Sequence, residues 1–445
     1  MTRSNGAVEG ARPMRQPLPA SHPGGEQLVT DAYIIDAVRT PRSIGKMGKG
    51  ALSSMHPEHL SAAVLAALRD RNGFDTAEVD DVIWGVSAAI GLQGGDIGRM
   101  AALDAGYDIK AGGVTLNRFC GSSLTATSLA SAMIMSGMAD LMIAGGMDML
   151  SYANAHGMKM REAGVGSAGM GAGNPRLQAR HPQTNQGVAA DAIAAMEGIT
   201  RQELEALGVE SQRRAARAIA EGRFDGSTIA VKDDEGRVIL DHEEYPRPDT
   251  TAESLAQLKP AFEMFLDMPS APGGKTFREL VLQVYPQLDI KPIHHAGISS
   301  GVVDGASAIL LASRDYAERH GLKPRARIVA MAETGDCPTL MLNGPVPAAK
   351  KVLAKAGLTK DQIDIWEVNE AFAVVVEKFI RDLDLDRAKV NPNGGSIALG
   401  HPIAGTGAIL IGTALDELER TGGRYGLVTM CAAGGMAPAI VIERV

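Results

Sequence analysis

Two stretches of the chain carry the same order of apolar and polar positions. "NGFDTAEVDDVIWG" (72–85) and "AGLTKDQIDIWEVN" (356–369) align without a gap at an offset of 284 residues. Each reads as a glycine helix stop, a polar turn and then a strand rich in Val, Ile and Trp. Beyond each, apolar residues recur at i, i+3, i+4 and i+7: Ala126, Leu129, Ala130 and Met133 in the first copy, Ile411, Ala414, Leu415 and Leu418 in the second. That spacing predicts an amphipathic helix in both, with the second set one residue out of the common offset. Each helix leads through a glycine to an apolar strand that ends in a glycine pair, "LMIAGG" (141–146) and "LVTMCAAGG" (427–435). Chance likeness between α/β units gives similar punctuation, but an ungapped match favours duplication. The expected fold class is α/β, with two similar halves stacked so that corresponding loops face one another.

The pattern lapses between the halves. Residues 151–290 are rich in Met, Gly, Pro and charge, and they read as an inserted loop subdomain with mobile loops. The N-terminal half is then 29–150 plus 291–315, and the C-terminal half is 316–445. "GVGSAG" (164–169) matches a dinucleotide fingerprint in form, but no apolar strand precedes it and Asn174-Pro175 follows where a helix should run. A loop is the better reading. Residues 1–28 are rich in Pro, Gly and polar groups and read as a disordered arm. They lack the apolar core of a signal peptide, and an organellar transit arm stays open.

Composition narrows the function classes. The 445 residues are 45% apolar and 22% charged, as in a soluble globular protein. A net charge of −8 argues against a nucleic-acid partner. The segment 124–147 is the nearest approach to a membrane span. Its Asp140 and three glycines fit a buried helix and strand better, so no membrane insertion is expected. Cys120, Cys337 and Cys431 are too few and too scattered for a disulfide framework or a zinc site. A reducing, cytoplasmic setting follows as the default.

Chemistry concentrates in four short stretches. In "LNRFCGSSLTAT", Cys120 stands just before a helix start, where unpaired N–H groups and the macrodipole lower a thiol pKa. Taken alone it is equally a small buried hydrophobe. In "NPNGGSIALGHPIAGTG", turn-forming residues surround the single His401, which the 284-residue offset places at the duplicate of Asn117. Cys431 ends an apolar strand in "TMCAAGGMAP", and Asn369 stands where "WEVNEAF" turns from strand to helix, a position that also suits a plain N-cap. Cys337, in the turn "GDCPT", reads as structural, and the His294-His295 pair lacks a metal-ligand spacing.

Taken together the motifs resemble the thiolase family from about Tyr33 onward. "YIIDAVRTPRSIGKMGKGAL", "LNRFCGSS", "GGMDMLS", "RPDTTAESLAQLKPAF", "AGISSGVVDGASAILL", "NGPVPA", "NEAFA", "NGGSIALGHPIAGTG" and "MCAAGGMAPAIVIERV" occur in that family's order. The resemblance implies five stacked αβαβα layers and cleavage of a 3-ketoacyl-CoA by CoA to acyl-CoA and acetyl-CoA. The CGSS variant is closer to the degradative members. Cys120 is then the nucleophile that becomes an acyl thioester, His401 the group that takes its proton, and Cys431 the second acid/base. Asn369 holds a water that stabilises the enolate oxygen together with His401. The backbone N–H groups of Cys120 and Ala433 form a second oxyanion hole, while Ser300 and Phe372 line the pantetheine and acyl channel. CoA is a co-substrate, no metal or redox cofactor is implied, and a homodimer or homotetramer is expected.

The resemblance has departures. Ala433 and Ala404 stand where glycine is common, and Ile298 where Asn is usual. The stretch between Phe262 and Ala296 is longer than expected, and it is expected to reshape acyl or CoA access. A decarboxylating ketoacyl synthase would carry two histidines in place of Asn369 and Cys431. A biosynthetic thiolase that forms acetoacetyl-CoA, a non-catalytic acyl-CoA-binding scaffold and a cysteine hydrolase complete the alternatives.

Overall fold

The apolar runs of the sequence become strands buried on both faces, which is why they read as continuous rather than alternating. The computed structural model describes residues 30–162, 174–271 and 273–445. The N-terminal arm (1–28) and the "GVGSAG" stretch lie outside these residues. In chain order the strands are β1 (Ala32–Arg39), β2 (Ser43–Ile44), β3 (Asp81–Gly85), β4 (Val114–Leu116), β5 (Leu141–Met149), β6 (Val231–Lys232), β7 (Val238–Leu240), β8 (Val303–Ser313), β9 (Ala326–Gly335), β10 (Ile365–Val368), β11 (Tyr425–Thr429) and β12 (Met436–Arg444).

Their spatial order is β4-β3-β5-β8-β1 in one half and β10-β11-β12-β9 in the other. Both halves run parallel on one side (β4, β3, β5; β10, β11) and antiparallel on the other (β5, β8, β1; β11, β12, β9). An isolated parallel bridge from Trp366 to Val390 stands where β4 stands in the first half. Among the described residues two pairs, Tyr33 with Arg327 and Ile34 with Ala326, join β1 to β9 and so connect the sheets edge to edge.

Side chains that alternate along each strand feed different cores. Tyr33, Ile35 and Val38 of β1 face an outer core with the helix Pro57–Asn72. Ala32, Ile34 and Ala37 face a central core shared with the helices Ser122–Met135 and Thr406–Thr421. Ala437, Ala439 and Val441 of β12 face a third core, under the helices Pro345–Ala356 and Ala373–Leu383. Helix, sheet, paired helices, sheet and helix therefore make five layers, as the resemblance implied.

The repeat holds to the residue. Both helix stops are left-handed glycines, Gly73 at φ 64° and Gly357 at φ 66°, and each is followed by a 3₁₀ turn and a strand at the 284-residue offset. The central helices begin at Ser122 and Thr406, and the strands after them at Leu141 and Tyr425, again 284 apart.

The expected face of the first central helix holds for Ala126, Ala130 and the partly buried Met133 but fails at Leu129. Leu129 is 48% exposed, and the residues that match buried Ile411, Ala414, Leu415 and Leu418 at the common offset are Thr127, Ala130, Ser131 and Ile134, all buried. Pattern reading favoured leucine and methionine over hydroxyl residues. The structure buries the hydroxyls because each has a partner: Thr127 Oγ1 donates to the Ser123 carbonyl (2.9 Å) and Ser131 Oγ to the Thr127 carbonyl (2.7 Å). Small residues also let the paired helices approach; a Cβ on Gly407 would lie 2.4 Å from the Leu124 nitrogen.

The chain between β5 and β8 departs from the loop reading as well. It carries the helices Gln186–Glu197 and Arg201–Ala220, capped by Asn185 and by a Thr200–Glu203 capping box. They bury Val188, Ile193, Leu204 and Leu207 in the third core. The residues 263–295 add a helix, Phe277–Val284, that contributes Val281 to the same core.

Candidate active site

Cys120 sits in a tight turn between β4 and the Ser122 helix. Phe119, just before it, has φ 50°, a left-handed conformation that costs a non-glycine residue about 1–2 kcal/mol. Local bonds hold that turn: Phe119 N–H donates to Asn117 Oδ1 (2.7 Å), Arg118 N–H to Ser122 Oγ (2.9 Å), and Ser122 O–H to the Phe119 carbonyl (2.7 Å). Gly121 is required for contact with the other half, since a Cβ there would lie 2.9 Å from Pro438 Cγ. Cys431 follows β11 at the start of a reversal in which Ala432 and Met436 exchange backbone bonds of 2.7 and 3.1 Å. Gly434 and Gly435 supply its positive φ, 80° and 81°. Ala433 is not among the residues with positive φ, so the backbone there does not call for glycine. Among the described residues, neither the Cys120 nor the Ala433 N–H has an acceptor in the protein.

His401 is 5% exposed, and its neighbours fix its tautomer. Ser396 Oγ–H donates to Asn369 Oδ1 (2.6 Å), which turns the Asn369 amide so that Nδ2 faces His401 Nε2 at 3.3 Å. An amide nitrogen only donates, so Nε2 accepts and the ring proton belongs on Nδ1, bonded to Thr406 Oγ1 at 2.6 Å. Nε2 is thus unprotonated and can act as a base once it gives up the long bond from the Asn369 amide. Burial lowers the imidazole pKa to about 3, keeping it neutral.

The thiols contradict one expectation. The helix end was expected to favour a Cys120 thiolate. Burial instead pushes that thiol well above its ordinary range, and nearby Cys431 and Asp148 push it further. Burial takes Cys431 up to about 12. In a dry pocket desolvation outweighs the partial charge of a helix terminus. The resting site is a set of neutral acids and bases.

The two halves are stitched together around this set. Ala404 N–H donates to Asp148 Oδ2 (2.8 Å), Ser307 O–H to the Gly405 carbonyl (2.6 Å) and Ala408 N–H to Ser123 Oγ (3.0 Å). Asp148 also accepts from Ser87, and burial raises its pKa to about 6. Asn369 N–H donates to the Thr429 carbonyl (3.2 Å), tying its strand end to the one that bears Cys431.

A cleft of about 590 Å³ has Ser299 and Ser300 in its wall. Ser300 N–H donates to the Ala371 carbonyl (3.0 Å), and His401 N–H to the Gly301 carbonyl (2.9 Å), so the cleft wall and the histidine loop are joined. Phe372 stands one layer back, its ring 5.6 Å from Phe262, which does line the cleft.

Comparison with known proteins settles the family. Residues 32–265 match the thiolase N-terminal domain and residues 322–444 the thiolase C-terminal domain. The chain belongs to the thiolase family. It is 40% identical over 434 residues to a steroid 3-ketoacyl-CoA thiolase of Mycobacterium tuberculosis, covering 96% of this chain and 97% of that one. It is 39% identical to a beta-ketoadipyl-CoA thiolase of Acinetobacter baylyi, over 93% of this chain and 99% of the other. A crystal structure of the Bacillus anthracis acetyl-CoA acetyltransferase superposes with a TM-score of 0.78 at 30% identity, covering 94% of this chain and all of that one.

The structure bears on several further expectations for this thiolase. Asn369 touches His401 directly, and its carbonyl is occupied by Ser396, so it positions the ring as well as offering its remaining amide hydrogen. None of the described residues of 263–295 lines the cleft; the flanking Ala261, Phe262 and Ala296 do. Tyr285 of that segment instead bonds Cys337 Sγ at 3.2 Å, giving that cysteine a partner the sequence did not reveal. Ile298 is fully buried in the third core. His294 pairs with Asp191 (2.7 Å) and His295 with Glu205 (3.1 Å), and among the described residues no acidic, His and Cys group is placed to hold a metal. Sequence reasoning missed Thr406, Ser396 and Asp148 as partners. All three lie within quoted motifs, but only spatial proximity assigns their roles.

Proposed function

We propose that Cys120, His401, Asn369 and Cys431 carry the thiolase reaction on a 3-ketoacyl-CoA, in the degradative direction. The observation that supports it most is the oriented His401: Thr406 takes the ring proton on Nδ1, and Nε2 is unprotonated, accepting only a long 3.3 Å bond from the Asn369 amide that it can exchange for the Cys120 proton. As Cys120 sulfur attacks the ketone carbon, its proton passes to Nε2. The oxyanion formed there accepts hydrogen bonds from the Cys120 and Ala433 N–H groups. Cleavage of the carbon–carbon bond leaves the acyl group on Cys120 and releases an acetyl-CoA enolate. The enolate oxygen is stabilised by the new His401 N–H and the free Asn369 amide hydrogen, and Cys431 S–H protonates the α carbon. CoA then gives its thiol proton to the Cys431 thiolate and attacks the thioester, and the Cys120 thiolate leaves as His401 returns its proton.

Neutral resting groups suit this sequence, since charge develops only while substrate is present to absorb it. CoA enters as co-substrate and the scheme requires no metal or redox cofactor. We further propose cytoplasmic action as a homodimer or homotetramer; β4, a sheet-edge strand with exposed Val114, is suited to pairing. The test is incubation with acetoacetyl-CoA or a longer 3-ketoacyl-CoA together with CoA. Loss of the 3-ketoacyl absorbance with release of acetyl-CoA is expected. Tight binding without turnover for every substrate favours a non-catalytic scaffold and overturns the proposal.

A further inference from the structure

The composition of the cleft bears on which acyl groups reach Cys120. We infer that it selects bulky, uncharged, apolar acyl groups over acetoacetyl and over acyl chains that end in a carboxylate. The inference rests on the thiolase reading above and adds the substrate class. Size is the first ground. A cavity of about 150 Å³ holds one benzene ring, so a cleft of about 590 Å³ has room for roughly four such volumes. Pantetheine takes part of that space, and an acetoacetyl group would leave most of the remainder unfilled.

The lining is the second ground. Ile44, Met47, Ala155, Met158, Phe262 and Val302 give it a mainly apolar wall. Met47, Met158 and Val302 remain about half exposed (47%, 52% and 48%), so this wall continues as an apolar rim. Methionine suits a rim that must adapt to a large rigid group, because its side chain is flexible and polarisable.

Charge is the third ground. Among the described residues Lys46 is the single charged group in the lining, and it is exposed. An acyl carboxylate carried past it into the cleft would meet the neutral side chains of Ser151, Asn154, Tyr245, Ser299 and Ser300 but no second cation, so its charge would be partly desolvated and left unneutralised. The wall itself is held firmly: Glu244 accepts from Ser43 O–H (2.5 Å) and from the Ile44 and Ala51 N–H groups, each at 3.1 Å. The loop that bears Met47 is therefore anchored at its base and shaped before substrate arrives.

The experiment measures kcat/KM at fixed CoA for acetoacetyl-CoA, 3-oxoadipyl-CoA, 3-ketododecanoyl-CoA and a 3-ketoacyl-CoA bearing fused rings. The last two are expected to exceed the first two by at least tenfold. Equal or higher values for acetoacetyl-CoA or 3-oxoadipyl-CoA overturn the inference and leave the thiolase reading standing. Failure to cleave any of the four overturns that reading itself. Ala155→Trp, which fills the cleft, and Met158→Glu, which charges its rim, should each lower the ratio of bulky to acetoacetyl turnover at least tenfold. An unchanged ratio in both soluble variants counts against the cleft as the determinant.

Discussion

The helices that begin at Ser122 and Thr406 occupy equivalent places in the two halves, yet they are built from different materials. The second buries Ile411, Leu415 and Leu418; the first buries Thr127, Ser131 and Ile134 at the same positions. The loops before them differ more. Exposed Asn117 corresponds to buried His401, and Cys120 corresponds to Ala404. Duplication has kept the register of turns, helix starts and strand starts while the residues in the loops before the paired helices diverged. In the proposed reaction the first half supplies the nucleophile, and the second supplies the base, its orienting amide and the second thiol. What is shared is scaffold, and what differs is chemistry.

The largest effect should come from erasing that difference at the base. His401→Asn gives the second half the residue of the first and removes the Nε2 lone pair. A fall in kcat on the order of 10²–10⁴ is expected for a lost general base, read by steady-state thiolysis with circular dichroism unchanged. Full activity would mean that the proton goes elsewhere.

Next in size is the ionisation of the nucleophile. Because burial raises the Cys120 thiol above its ordinary range while His401 stays neutral down to about 3, the resting pair is uncharged at neutral pH. Deprotonation therefore increases as pH rises. Alkylation of Cys120 by iodoacetamide should climb about tenfold per pH unit between pH 6 and 9. A rate that is flat from pH 5 upward would reveal a preformed thiolate–imidazolium pair instead.

A smaller effect probes the packing. Ser131→Leu installs the counterpart residue, Leu415, on the buried face of the first helix. Overpacking there should cost about 1–3 kcal/mol, seen as a lower Tm. Leu129→Ser, on the exposed side, should stay within about 0.5 kcal/mol. If the costs are reversed, the helix face has been assigned wrongly.

Much of this was legible in the sequence. The ungapped repeat carried the two-half plan, and turn residues around His401 marked a loop that positions a side chain. Leu129 misled because apolarity was weighed above register: Thr127 and Ser131 can be buried only because their hydroxyls bond back to their own helix, a property of geometry. The helix signals in 185–220 were present, as Asn185, Gly198 and the Thr200–Glu203 box, but surrounding glycine and charge hid them. The state of Cys120 was also out of reach, since desolvation depends on what the other half places around the sulfur. Local signals favour a thiolate there, and three-dimensional burial overrides them.

The proposed reaction depends on the Cys120 sulfur as the atom that receives the acyl group. Mixing the enzyme with a 3-ketoacyl-CoA without free CoA, quenching in acid and mapping peptides by mass spectrometry tests this directly. An acyl mass on the Cys120 peptide, with the Cys431 and Cys337 peptides unmodified, is predicted. Acylation at Cys431, or turnover that survives in Cys120→Ala, would contradict it.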